Sequence, residues 1–474
     1  MSGHPLQQLI AAVIAASLLG GCASTAVREN FSSAQEFTRE RLGADMRWLA
    51  TDEARREAQT EVDALLQKPL SADDAVRIAL AYSPSLQAML FEGAASSASA
   101  AQSVRLPNPV FTFERLVRSE GGVRELEINR MLAISVLDLF LLPARLRAAS
   151  FEQQQARLKL TGDVVQAAFG ARQTWVRAVA AQQSLQYSEQ VKRAADASAE
   201  LARRMQQVGN FSKLQRAREQ AFAADAVAQL ARTQQTALGA RETLIRALGL
   251  SDTQARALQL SERLPDLPSA PVEEATAIQS AIDQRLDVSM ARAELEFSAR
   301  EQGLTQITSV VNGFEIAAVR NSETGRAPQK GYELEIPLPI FDFGDALRTG
   351  AQARYMARLN RTAQLAVNAT SEVRQSYGAY RTAYDIARHY RDEIVPLRKM
   401  IADENVLRYN GMLIGVFELL ADAREQIGSV VQAVDAQRDF WLADAALQGA
   451  LIGKPMSAVA MDATPSAGAT ARAH

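Results

Sequence analysis

Polar and apolar positions alternate strictly in two separate stretches of the chain, and each stretch has a partner nearby. Over Glu125 to Val136, Leu126, Ile128, Leu132, Ile134 and Val136 share one face, interrupted only by Arg130, while Glu125, Glu127, Asn129, Ala133 and Ser135 share the other. A period of two is what a β-strand with unlike faces requires. The preceding segment, Val110 to Arg118, sets Phe111, Phe113 and Val117 against Thr112, Glu114 and Arg118, with Ser119-Glu120-Gly121-Gly122 as the turn between the two. Further along, Tyr332, Leu334, Ile336, Leu338 and Ile340 alternate with Gly331, Glu333, Glu335, Pro337 and Pro339. Their partner runs over about Ser309 to Arg320, joined by a polar loop, Asn321 to Lys330.

Helical patterns surround both strand pairs. One helix is expected over Ser71 to Ser103, ended by Pro107-Asn108-Pro109. Two long rods follow the strands directly, from Ala144 to about Gln206 and from Asp345 to about Leu407, with Pro396 the one proline inside them. At 1.5 Å per residue, about 60 residues give a rod of roughly 90 Å. Val165, Phe169, Val176 and Val179 recur near the three-and-four spacing of a coiled-coil seam. A shorter helix closes each half. Sequence echoes tie the halves together. Ala75 to Leu80 with Pro84-Ser85-Leu86 answers to Ala277 to Ile282 with Leu286-Asp287-Val288, Asp138-Leu139-Phe140 to Asp342-Phe343-Gly344, and Val208 to Ser212 to the region Asn410 to Gly415. The chain is read as an internal duplication with a repeat of roughly two hundred residues.

Alternation alone also suits a half-buried soluble sheet. Aliphatic and aromatic side chains on one face with glutamates on the other suit a membrane barrel. Four strands cannot close one, because small barrels need about eight or more. If these strands span a membrane, several chains must share the barrel.

Composition narrows the chemistry. A formal net charge of −2 gives no reason to expect nucleic acid. One cysteine, Cys22, and three histidines, His4, His389 and His474, rule out an intrachain disulfide and a Cys/His zinc site. His389 lies within a helical pattern with no nucleophile motif nearby, and reads as a solvated surface histidine. No phosphate-cradling glycine loop is present. No catalytic, cofactor or metal residues are expected, and the chain is not read as an enzyme. Leu9 to Leu19 forms an apolar run too short to span a bilayer, followed by Gly20-Gly21-Cys22. Residues 1–21 are therefore expected to be a secretory leader, although no Lys or Arg precedes Leu9.

Several of these segments resemble known proteins. Leu19-Gly20-Gly21-Cys22 resembles the bacterial lipobox, which implies acylation of Cys22; Ala23 and Ser24 lack the Asp that tends to retain such proteins in the inner membrane, so the outer membrane is the expected address. Leu70 to Ala75 through Pro84, with Ser71 as N-cap, resembles the first helix of TolC-like outer-membrane factors. Ile336-Pro337-Leu338-Pro339-Ile340-Phe341-Asp342-Phe343-Gly344 resembles that family's strand-to-helix corner. Arg408-Tyr409 with Val416-Phe417-Glu418-Leu419-Leu420 resembles its second helix-turn-helix tip. The similarity spans about Leu70 to Gly453. Arg285-Leu286-Asp287 departs from the family's usual Arg-Pro-Asp.

The resemblance implies an α+β membrane protein: a homotrimeric, twelve-stranded β-barrel, four strands per chain, continued by a long α-helical coiled-coil barrel in the periplasm. The expected organisation is a lipid-anchored arm over 22–69, a first repeat over 70–260 with strands at about 108–136, a second over 270–453 with strands at about 309–340, and a disordered tail over 454–474. The implied function is the exit duct of a tripartite efflux system, working with a periplasmic adaptor and an inner-membrane pump. A type I secretion duct and a pore-less periplasmic coiled-coil lipoprotein are the alternatives. The implied adaptor-binding tips are Gly209, Asn210 and Ser212 in the first repeat and Gly411, Met412, Gly415 and Val416 in the second. For these residues a purely turn-forming role stays open. Glu418 and, one helical turn later, Asp422 stand where the family places a periplasmic gate, with solvated helix acids as the alternative.

Overall fold

The computed structural model describes residues 22–103, 105, 107–120, 123–273, 285–309 and 313–454. The expected leader, the Gly121-Gly122 turn, the repeat segment Ala277 to Ile282 and the tail beyond 454 lie outside the described residues. The chain forms helices α1 (Cys22–Leu42), α2 (Asp52–Leu65), α3 (Ala72–Tyr82) and α4 (Pro84–Ser103), then strands β1 (Val110–Glu120) and β2 (Val123–Ser135). Helices α5 (Val136–Gln207), α6 (Lys213–Leu248), α7 (Asp252–Ala257) and α8 (Leu286–Thr308) follow. After β3 (Glu315–Glu323) and β4 (Gln329–Glu335) come α9 (Asp345–His389), α10 (Val395–Asn410) and α11 (Val416–Ile452). No described helix is long and apolar enough to cross a membrane, a statement that leaves the strands aside.

Two compact units divide the chain. The first, drawn from Met1–Ala34, Phe91–Leu160 and Val288–Val367, holds the sheet. Its strands form an antiparallel meander in the order β1-β2-β3-β4. Direct partners in such a sheet share a face, so the register fixes the two surfaces. One carries Glu114, Glu125, Glu127, Glu315, Glu323, Glu333 and Glu335, the other Phe111, Leu132, Ile134, Ile316, Tyr332 and Leu334. Strand β4 stops at Glu335 and not at Ile340 as the alternation predicts, because Pro337 and Pro339 have no N–H to give to a ladder. Strand β3 starts at Glu315 and not near Ser309, because α8 runs on to Thr308.

Helix α5 grows directly out of β2. The Val136 and Leu137 amides donate to Phe314 O at 2.9 and 3.3 Å, and Ser135 Oγ accepts from Asp138 N at 3.3 Å. The helix begins eight residues before the predicted Ala144 and carries Pro143 inside it. At the matching corner Gly344 adopts φ +72°, a left-handed conformation that favours glycine, and a Cβ there would collide with the Ser309 backbone.

The second unit, drawn from Gln35–Leu90, Thr161–Asp287 and Asn368–His474, contains the main hydrophobic core. Trp175 is buried among Leu66, Leu70, Ile78, Leu244 and Leu248, and its indole N–H donates to Leu70 O at 2.8 Å. The single helix expected over Ser71 to Ser103 is two helices. Ser83 (φ −56°, ψ +123°) breaks it because Pro84 bars the helical conformation from the residue before it. Ser71 is the N-cap of α3, its Oγ accepting from Asp74 N at 3.1 Å and donating to Asp74 Oδ2 at 2.8 Å. Pro396 is met by a single wider turn, Tyr390–Ile394, between α9 and α10. That turn relieves the missing N–H and the clash a proline brings to a regular helix.

A buried cation organises the second unit. Arg285, with no exposed side-chain surface, donates to Asp287 Oδ1 (2.9 Å) and Oδ2 (2.6 Å), Glu372 Oε2 (2.8 Å) and the carbonyls of Ala450 (2.9 Å) and Ala369 (3.3 Å). Burial alone would lower its pKa, but the two carboxylates outweigh that and hold it above the ordinary arginine value.

Candidate functional site

Two helix-turn-helix tips lie in the second unit, and they are built to one plan. At the first, between α5 and α6, Gly209 takes φ +81° and the Asn210 amide reaches back to Met205 O at 2.9 Å. This is a Schellman ending, in which a left-handed residue lets the last carbonyls find donors. Ser212 then caps α6 with a complete capping box: its Oγ accepts from Gln215 N (3.1 Å), and Gln215 Oε1 accepts from Ser212 N (2.9 Å).

At the second tip the Leu413 amide reaches Arg408 O at 2.9 Å, and Gly415 stands at the N-cap of α11 without a side-chain bond. The left-handed position is filled by Met412, at φ +57°. In the sequence Gly411 and Gly415 are the glycines of this tip, and Met412 stands where the resembling family more usually has glycine. Gly411 (φ −82°) and Gly415 (φ −81°) are in ordinary regions, and a methionine carries the strain. Met412 is 93% and Leu413 75% exposed, and Val208 and Leu214 are exposed at the first tip. Val416 is half-buried at the start of α11.

The tips touch. Phe211 stacks on Phe417 with ring centroids 4.1 Å apart and planes at 22°. Two turns further, Arg424 of α11 binds Glu219 of α6, donates to Ser198 Oγ of α5 at 3.0 Å, and lies over the Phe222 ring at 3.8 Å. Ser198 in turn donates to Glu219 at 2.5 Å. Thus one arginine fastens a helix of the second hairpin to both helices of the first. Sequence reasoning missed this clasp, and its members carry no motif; only the placement of Phe211 and Phe417 beside the two N-caps hinted at it.

The two acids proposed for a gate are not equivalent. Glu418 is exposed in the first turn of α11, where a carboxylate suits the helix dipole. Asp422 is half-buried and accepts from the carboxamide of Asn405 on α10. The structure therefore leaves Glu418 facing solvent and engages Asp422 between its two helices. His389 sits on an exposed face, 3.2 Å from Glu393. Cys22 begins α1.

No protein-family model matches the sequence, and no curated protein matches it either. Solved structures do match it. The Campylobacter jejuni CmeC outer membrane channel is similar at 13% identity, with 82% of this chain and 86% of that one covered and a TM-score of 0.68. The outer membrane protein VceC of Vibrio cholerae is similar at 15% identity over 85% and 98% of the two chains, with a TM-score of 0.67. The Neisseria gonorrhoeae MtrE outer membrane channel, in its open state, is similar at 16% identity over 82% and 89%, with a TM-score of 0.61. The chain has the fold of these outer-membrane channels, as the sequence resemblance implied.

Proposed function

We propose that this chain, with the fold of an outer-membrane channel, is the exit duct of a tripartite efflux system and acts as a homotrimer. The observation that carries the reading is the sheet. The described glutamates of its strands all lie on one face, the opposite face is apolar over the rows nearer the helices, and the sheet is open at β1 and β4. In hydrocarbon an open edge leaves backbone groups unpaired at several kcal/mol each, so spanning strands must close into a barrel. Three copies, each giving four strands, close one with twelve. The glutamates then line an aqueous lumen, and the internal duplication lets two similar strand pairs and two similar hairpins surround each third of the axis.

The tips supply a surface for partners. Met412, Leu413, Val208 and Leu214 offer apolar side chains on rigid turns, the surface an adaptor would engage before an inner-membrane pump delivers substrate. Glu418, exposed beside that surface, is the better placed of the two acids for a charged ring around the axis. Acylation of Cys22 would anchor the arm to the outer membrane after removal of residues 1–21. A pore-less tether has no use for a sheet with these two faces.

Single-channel recording in planar bilayers tests the duct. The full chain is expected to give discrete cation-selective conductances, and Glu333→Gln with Glu335→Gln to weaken the selectivity. A chain that inserts and never conducts would contradict the proposal.

A further inference from the structure

Arg130, the one interruption in the apolar face of β2, does not stand alone. The register places Phe113, Arg130, Arg320 and Lys330 in a single row across all four strands. Arg115 follows in the next row, paired with Ile128, and Arg124 lies beyond it. Among the described side chains of β1 to β4, this face carries these five cations and no carboxylate, since the described glutamates of the strands lie on the opposite face. Like charges on directly paired strand positions repel, and the described residues of this face offer no counter-charge.

The two rows on the helix side of this belt are wholly apolar: Phe111, Leu132, Ala318 and Tyr332, then Ile134, Ile316 and Leu334. Beyond them, exposed apolar side chains continue through Leu338, Ile340 and Phe341, with Phe140 and Phe343 beside the corners. From Lys330 to the end of β4 at Glu335 the strand, tilted as in membrane barrels, covers about 12 Å, roughly half of such a barrel's apolar band of about 25 Å, and the exposed apolar residues beyond it extend the band on the helix side. A cation on a lipid-facing strand is most unfavourable at the midplane and tolerated at the interface. Both arguments put the row at the rim of the band farther from the helices.

We infer that Arg130, Arg320 and Lys330, with Arg115 above them, form a binding belt for the anionic phosphate headgroups of lipids in the outward-facing leaflet. The inference rests on the barrel reading above. The occupant must be amphiphilic: acyl chains cover the apolar rows, and the phosphate meets the cations one row above. Guanidinium groups suit it because they bind phosphate oxygens in pairs. Lipid binding would remove the repulsion within the row and fix the height of the barrel in the membrane.

The test is native mass spectrometry of the full chain in mild detergent, titrated with phosphatidylglycerol, phosphatidylcholine or inorganic phosphate. Alongside it runs single-channel recording in neutral bilayers. The wild type is expected to retain phosphatidylglycerol at least tenfold more tightly than phosphatidylcholine. Arg130→Gln, Arg320→Gln and Lys330→Gln together should abolish that preference while conductance in neutral bilayers persists. Should the triple variant fail to fold, Arg130→Gln alone is expected to weaken retention severalfold and Arg130→Lys to restore most of it. Equal retention of phosphatidylglycerol by wild type and variants overturns the belt and leaves the duct standing. Inorganic phosphate binding as tightly as the lipid overturns the lipid occupant. A wild type that enters no bilayer overturns the duct and the belt together.

Discussion

Replacing Arg285 by alanine removes the hub of the second unit. The guanidinium is fully buried and donates to two carboxylates and two carbonyls, while its partners Asp287 and Glu372 keep 22% and 34% of their side-chain surface exposed. Truncating one partner of a buried ion pair costs about 3–5 kcal/mol, because the other charge stays behind uncompensated. Partial solvation of both carboxylates favours the lower end, about 3 kcal/mol. Arg285→Lys keeps the charge but loses the two-pronged geometry to Asp287, and is expected to cost about 1–2 kcal/mol. A membrane assembly does not unfold in two states, so the readout is local. Amide hydrogen exchange at the start of α8 and the end of α11 should accelerate by about two orders of magnitude in Arg285→Ala, since 1.4 kcal/mol is tenfold. Adding Asp287→Asn and Glu372→Gln should recover part of the loss. Exchange within fivefold of wild type in Arg285→Ala would refute the reasoning.

Other positions give independent tests. Met412→Gly should slow exchange of the Leu413 amide by a few-fold, because a left-handed non-glycine residue costs about 1 kcal/mol, part of which returns as glycine's chain entropy; the mirror change Gly209→Ala should speed exchange at Asn210. Arg424→Ala leaves Glu219, 12% exposed, without its cation, and should loosen the hairpins by about 2 kcal/mol, visible as faster exchange in α6 and α11 but not in α3. Asp444 has its pKa raised by burial, with Arg172 opposing the rise. Its ionised form therefore opposes folding at neutral pH, and the penalty disappears as pH falls through the raised value, where the folded chain takes up a proton before the unfolded one. Asp444→Asn should accordingly raise thermal stability at pH 7, with the gain vanishing below the ordinary aspartate value of 3.8.

Much of this was legible in the sequence because it rests on periodicity and on side chains acting locally. The faces of β1 and β2, the Ser71 cap and the Gly209-to-Ser212 turn each follow from residues within a few positions of one another. The departures come from proline and from long range. Alternation does not reveal that Pro337 and Pro339 cannot join a ladder, although their residue type does. Pro84 marked a boundary that the apolar run on either side concealed. The first rod was expected from Ala144, yet its helix begins at Val136, because Phe314, far off in sequence, receives its first amides. The Arg285 hub and the Arg424 clasp join residues more than eighty and two hundred positions apart, respectively, and no local pattern announces them. Met412 is the reverse case: it stands where a glycine is more usual, and residue type alone does not show that a methionine takes up the left-handed conformation there while Gly411 and Gly415 stay in ordinary regions.

The measurement that bears most directly on the duct is the native mass of mature protein extracted in mild detergent from the outer-membrane fraction. The account predicts a trimer whose N-terminal residue is an acylated Cys22. A monomer recovered from the soluble periplasmic fraction would contradict it, since four strands cannot close a barrel on their own.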